Sequence, residues 1–194
     1  IGSDIKKLFL NKWHYEHYYK TLYFLGGDMS GPFKGVRVLE LTSTVSGPFA
    51  GMMLADQGAE VIKIEPPGIG DLARFMGTIK DGMGAMFSTL NRNKKCICLD
   101  FKNEEDLSVL LELVSTADIL IENYRPGIVK KLGIDYETLK KIKPDLIYCS
   151  ISGYGQSGPY KEKKVYDPLI QGTVGIPHAQ NGEFPELIRT IIYD

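Results

Sequence analysis

Residues 36–70, VRVLELTSTVSGPFAGMMLADQGAEVIKIEPPGIG, constrain the fold more tightly than any other stretch of this chain. A β-rich apolar run, Val36 to Leu41, gives way to a turn of Thr, Ser and Gly. A compact helical segment from Phe49 to Ala55 follows, then a second β-rich run from Val61 to Ile64, closed by Pro66-Pro67-Gly68. Strand, helix and strand at this spacing make a βαβ unit, and such units belong to parallel sheets, because parallel neighbours need a crossover. A parallel sheet places its ligand at the carboxyl ends of its strands. Here that position is the turn Thr42 to Pro48.

The rest of the chain repeats the alternation. Lys95 to Asp100 reads as a third strand. Asn103 can cap a helix whose Leu107, Leu110, Leu111 and Val114 fall at i, i+3, i+4 and i+7. Asp118 to Glu122 is a fourth strand, Pro126-Gly127 opens a short helix to Leu132, and Asp135 caps another carrying Tyr136, Leu139 and Ile142 on one face. Leu146 to Ile151 is a fifth strand, followed by a polar loop from Gly153 to Lys164. Asp167 is expected to cap a last helix, Pro168 to Val174. The fold expected is α/β, with a Rossmann-like doubly wound, mostly parallel sheet.

Composition narrows the function classes. In 194 residues, 43% are hydrophobic and the net charge is -1, so neither nucleic acid nor an anionic membrane is an expected partner. No apolar run approaches the roughly 20 residues that span a bilayer. Three cysteines suit a reducing compartment: the cytoplasm, or the mitochondrial matrix in a eukaryote. Cys96 and Cys98 alternate on a strand without further ligands nearby, so they are read as buried structural thiols, and no metal site is expected. Residues 1–28, rich in aromatics, are expected to form an extension outside the fold. Residues 29–194 are expected to be the amino-terminal part of a larger domain, since the chain stops at Asp194 just inside a strand-like run.

Three stretches can carry chemistry. The hydroxyls of Thr42 to Ser46 and the following helix start either cap the helix or receive an anion or carbonyl oxygen. The basic run Asn91 to Lys95, with Lys102, is either a solvated edge or a phosphate-binding face. Asn123 and Tyr124, at the end of the fourth strand, either close that strand or meet a ring and a polar edge. The first turn is not GxGxxG, so a dinucleotide fingerprint is weak.

Taken together, these blocks resemble the class III CoA-transferase family, the formyl-CoA transferase and carnitine CoA-transferase group, with α-methylacyl-CoA racemase as a cousin. The resemblance rests on GVRVLELTSTVSGPFAGMMLADQGAEVIKIEPPG, the pair Gly70-Asp71, NRNKKCICLD, DILIENYRPGIVKKLGIDYETLKKIKPDLIYCSISGYGQSGP and VYDPLIQGTVG, in the family's order and spacing. It implies a CoA-binding large domain. Thr44, Val45 and Ser46 would line the thioester end. Lys94, Lys95, Leu99 and Lys102 would flank the adenine and its phosphates, with Asn123 and Tyr124 beside nucleotide and pantetheine. Lys131, Leu132 and Lys164 would complete that wall. A frequent family pattern has Arg after the Glu of the second strand; Pro66 stands there instead and removes one cation near the nucleotide.

The resemblance further implies that Asp194 is the catalytic nucleophile, passing through an aspartyl mixed anhydride and an aspartyl-CoA thioester. The substrates would be an acyl-CoA and a small carboxylic acid, and the full-length form an interlocked homodimer. Two alternatives accompany this reading. The racemase cousins use a histidine directly before the acid of the YD block; here that residue is Tyr166, and residues 18–177 hold no histidine. The other alternative is an inactive, truncated CoA-binding module, because the family's second domain is not in these residues.

Overall fold

The computed structural model describes residues 30–180 together with Phe184, Glu186 and Leu187. Five parallel strands form the main sheet: β1 (Arg37–Leu41), β2 (Glu60–Glu65), β5 (Lys95–Cys98), β6 (Ile119–Glu122) and β7 (Ile147–Ser150). Their spatial order is β5-β2-β1-β6-β7. The chain winds outward from β1 in one direction, returns, and winds outward in the other. That reversal puts a topological switch point between β1 and β6, where open α/β sheets bind ligands.

Side-chain alternation divides the sheet into two faces. Val38, Val61 and Ile121 pack on one side with Ala55 and Ala59, under α1 (Ser46–Asp56). Leu39, Leu41, Ile62, Ile64 and Leu120 pack on the other with Leu110, Leu113 and Val114 of α3 (Glu104–Ser115). Both faces are therefore covered, which is why β1 and β2 read as near-continuous buried runs. Asn103 caps α3 as its position suggested, accepting from the amides of Glu105 (2.8 Å) and Asp106 (3.3 Å).

Between β2 and β5 the chain does more than connect. It forms a 3-10 turn (Leu72–Phe75), a two-stranded antiparallel ribbon of β3 (Ile79–Lys80) and β4 (Met83–Gly84), and α2 (Ala85–Leu90). Short helices α4 (Ile128–Lys131) and α5 (Tyr136–Leu139) lead into β7, and α6 (Asp167–Thr173) and α7 (Ile176–Ala179) follow it.

Three expectations need correction. Cys98 is exposed and Cys96 only half-buried, because β5 is an edge of the sheet. Asp167 does not cap α6: it is the first helical residue, buried, and accepts from the Gln171 amide one turn on, while Tyr166 holds the cap position without a side-chain bond. The face expected of α5 is incomplete: Leu139 is buried, but Tyr136 and Ile142 are exposed because the helix ends after one turn.

Candidate active site

The carboxyl end of β1 leads into Thr42-Ser43-Thr44-Val45, and α1 starts at Ser46. Thr44 has φ +72°, a left-handed conformation that a β-branched residue rarely adopts. It is held from two sides. The Asn123 side chain acts as an extra strand residue against Ser43: its Oδ1 accepts from the Ser43 amide (3.0 Å) and its Nδ2 donates to the Ser43 carbonyl (2.8 Å). The Asp71 carboxylate accepts from the Thr44 amide (2.9 Å). Val45, the residue before α1, makes no side-chain cap bond, so the helix opens with its own amides.

Beneath this turn lies a buried ionic network on the α1 face. Glu40 of β1 and Lys63 of β2 are register partners, both wholly buried. Lys63 donates to Glu40 Oε1 (3.0 Å) and to the Thr42 carbonyl (2.8 Å), and forms an ion pair with Asp71 Oδ2 (2.9 Å). Lys94 donates to the Pro48 carbonyl (2.7 Å) and Asn91 Oδ1 (2.9 Å), and forms an ion pair with Glu40 Oε2 (2.7 Å). Each ammonium thus makes two hydrogen bonds and one further ion pair, and Glu40 Oε2 and Asp71 Oδ2 meet a lysine only through that charge contact. Glu65 extends the network: it accepts from the Asp71 amide (2.9 Å) and pairs with Arg74, whose guanidinium lies 3.7 Å from the centre of the Phe87 ring.

Environment sets the protonation of these groups. Burial depresses the Lys94 ammonium to about 8, against the attraction of Glu40. Burial would depress Lys63 too, but Glu40 and Asp71 together outweigh it and raise its pKa. Burial, reinforced by Glu65, pushes the Cys96 thiol up to about 12. That is the protonation of an inert thiol rather than a nucleophile.

On the opposite face, the strand ends enclose an open cleft of about 140 Å³, lined by Pro66, Leu99, Asp100, Phe101, Lys102, Tyr124 and Leu132. Its walls are mostly apolar or aromatic, and Lys102 supplies a cation at the exposed rim. Such a slot accepts a flat heteroaromatic ring with a phosphate beside it. Glu122 anchors its β6 side: it accepts from the Tyr124 amide (2.8 Å) and from the Ser150 hydroxyl.

The sequence-expected residues fall into distinct sets. Leu99, Lys102, Tyr124 and Leu132 share the cleft. Thr44, Val45, Ser46 and Asn123 share the switch-point turn, with Asn123 also 3.4 Å from the Ser46 hydroxyl. Lys131 ends α4 just before Leu132 and is exposed, as is Lys164 in the loop after β7; neither lines the cleft. Lys94 does not line the cleft: its ammonium is sealed under α1. Lys95 starts β5 and reaches back to Glu60 at the amino end of β2 (2.5 Å), the wrong end of the sheet for the cleft. Asp194 and residues 1–28 lie outside the described residues.

Sequence reasoning missed Glu40, Lys63 and the supporting role of Asp71. The signal was present. Each of the first two strands carries a charged residue inside its apolar run, Glu40 in VLEL and Lys63 in VIKI, of opposite sign and at matching depth. Paired across neighbouring strands, they form a buried ion pair. Among the described residues, no group of three or more His, Cys, Asp or Glu side chains is placed to hold a metal, and no helix is long and apolar enough to cross a membrane.

Comparison with known proteins bears on this arrangement. The family model described as CoA-transferase family III matches residues 33–194. Over 156 residues the chain is 46% identical to the acetyl-CoA:oxalate CoA-transferase of Acetobacter aceti, covering 80% of this chain and 40% of that protein. Over 163 residues it is 41% identical to the succinyl-CoA:glutarate CoA-transferase of Mus musculus, covering 84% and 37%. Among solved structures, a CAIB/BAIF family protein from Brucella suis superposes with a TM-score of 0.77 at 42% identity, covering 84% of this chain and 44% of that one. The chain spans about two fifths of the length of the curated relatives it matches.

Proposed function

Because the chain belongs to CoA-transferase family III, we propose that the whole protein moves CoA from an acyl-CoA donor to a small carboxylic acid. The observation that carries this reading is the pairing of the apolar cleft with the rigid turn at the same strand ends. An adenine fits between Leu99, Tyr124 and Leu132, with Lys102 beside its phosphates. The pantetheine arm then crosses Asn123 toward Thr44, Val45 and Ser46. The amides that open α1 meet the thioester oxygen, where charge develops.

Asp194 is the nucleophile in this proposal. Its carboxylate attacks the donor thioester, giving a mixed anhydride and CoA thiolate. The thiolate attacks the aspartyl carbonyl, releasing the donor acid and leaving an aspartyl-CoA thioester. The acceptor carboxylate repeats the exchange in reverse. Covalent steps of this kind divide one hard exchange into easier ones. The whole protein works as an interlocked homodimer, with residues 1–28 as an extension to the CoA-binding domain.

Hydroxylamine tests the assignment. The whole protein, mixed with acyl-CoA and quenched with hydroxylamine, is expected to carry a hydroxamate at Asp194, read by peptide mass. Modification at a different acid, or none, contradicts it.

A further inference from the structure

Thr44 occupies a conformation its side chain disfavours, at the position where the proposed reaction needs fixed amides. Something must hold it there. Asn123 fixes the preceding residue, Ser43, through two backbone bonds. The only side chain recorded on the Thr44 amide itself, among the described residues, is Asp71. We propose that Asp71 is a positioning residue for acyl transfer: it locks Thr44 in the left-handed turn and so aims the amides of Val45 and Ser46 at the thioester oxygen. This inference rests on the reading of the site as a CoA-transferase centre.

The surroundings of Asp71 suit that task. Its carboxylate is buried, and its oxygens have divided duties: Oδ1 accepts from Thr44 and Ala73 (both 2.9 Å), and Oδ2 faces Lys63 (2.9 Å). Its own amide is tied to Glu65, which Arg74 clamps from the other side. Gly70, at φ +67°, lets the loop turn in over Glu65; a Cβ there would stand 2.7 Å from Glu65 Oε2. Every link in this chain is anchored to β1 or β2. The loop after β2 therefore reaches across and fixes the loop after β1. A side chain held on both oxygens has little freedom to swing, and rigidity of the supporting group is what preorganised donors require.

Two substitutions separate positioning from charge. Asp71→Asn keeps the shape and an acceptor for Thr44 while removing the charge that faces Lys63. Asp71→Glu keeps the charge but displaces the acceptor by one methylene. In the whole protein, Asp71→Asn paired with Lys63→Met, which removes the cation its amide NH2 would otherwise meet, is expected to lower kcat less than Asp71→Glu does. Asp71→Glu is expected to lower kcat by roughly ten- to a hundredfold, with the Kd for free CoA, set in the cleft, changed less than about threefold. Adding Thr44→Asn, which tolerates the left-handed turn better, is expected to recover part of the loss in Asp71→Glu. Should Asp71→Glu not fold, Asp71→Ala paired with Lys63→Met replaces it without stranding a buried cation, and the same loss and recovery are expected.

The opposite order, with the Asp71→Asn and Lys63→Met pair crippled and Asp71→Glu active, overturns the inference in favour of a purely electrostatic role. A parallel fall in kcat and CoA affinity, or no recovery with Thr44→Asn, overturns it in favour of a merely structural one. Either result in an otherwise active enzyme leaves the functional reading standing. A wild type without CoA exchange sinks that reading and this inference together.

Discussion

Gly51 shows how one missing side chain shapes the turn. A Cβ there would lie 1.9 Å from Glu40 Oε2, and one at Gly47 would lie 2.4 Å from the Thr42 Cβ. The two glycines, one helical turn apart, let α1 settle directly onto the end of β1. In an exposed helix Gly→Ala gains about 1 kcal/mol. Here the Cβ must displace a carboxylate paired with two buried lysines, at about 3–5 kcal/mol. Gly51→Ala is therefore expected to lose about 2–4 kcal/mol of stability, measured by urea unfolding.

Lys94 makes the same network sensitive to pH. Its folded pKa of about 8 lies below the ordinary 10.5. The unfolded chain thus binds more protons between those values, and this group's contribution to stability rises with pH across that window. From about pH 8 upward the raised Cys96 and Cys98 thiols work in the opposite direction, since there the folded state holds their protons longer. Between pH 7.5 and 9 wild-type stability is expected to rise more steeply, or fall less steeply, with pH than that of Lys94→Met, the two slopes differing by up to about 1.4 kcal/mol per pH unit. Urea midpoints at pH 7.5, 8, 8.5 and 9 read the difference; an equal slope in both proteins contradicts the assignment.

At the scale of elements, capping is local chemistry and its cost can be stated. Asn103→Ala removes the side-chain acceptor for two amides at the start of α3. The expected loss is about 1 kcal/mol, with the fold otherwise unchanged by circular dichroism. The Asn103 cap, the βαβ spacing and the five main strands were legible in the sequence because each is written in neighbouring residues. The ribbon and helix inside the connection from Ile69 to Ser88 were not. Those elements are short, and β3 is exposed, so no periodicity marks them. Lys94 and Lys95 illustrate the same limit at the site. Adjacent in sequence and alike in charge, they part company because one turns under α1 and the other stays at the amino end of an edge strand. Only the packing of α1 on Glu40 distinguishes them. By contrast, Leu99, Lys102, Tyr124 and Leu132, from two separate stretches of the chain, do converge on one cleft. Strand ends in a parallel sheet all open on the same side, which brings them together, but Leu99 and Leu132 were singled out by the family resemblance and not by their place in the alternation.

For the molecule as a whole, the two faces of the sheet divide the work. The α3 face offers an apolar slot with a cation at its rim. The α1 face holds a salt-bridged platform that keeps the switch-point turn rigid. In the proposed reading, coenzyme A, a flat base joined through phosphates to a long arm ending in sulfur, starts in the slot and ends at the turn. The oxygen balance of the proposed exchange offers the most direct test. The acceptor carboxylate joins the aspartyl carbonyl through one of its oxygens, and that oxygen stays with the enzyme when thiolate removes the new acyl group. One turnover of the whole protein with an acceptor acid carrying ¹⁸O in both carboxylate positions is therefore expected to leave a single ¹⁸O on the side chain of Asp194, seen as a heavier peptide. Label found in the released donor acid, with none in the protein, would mean direct transfer between substrates and would contradict the account.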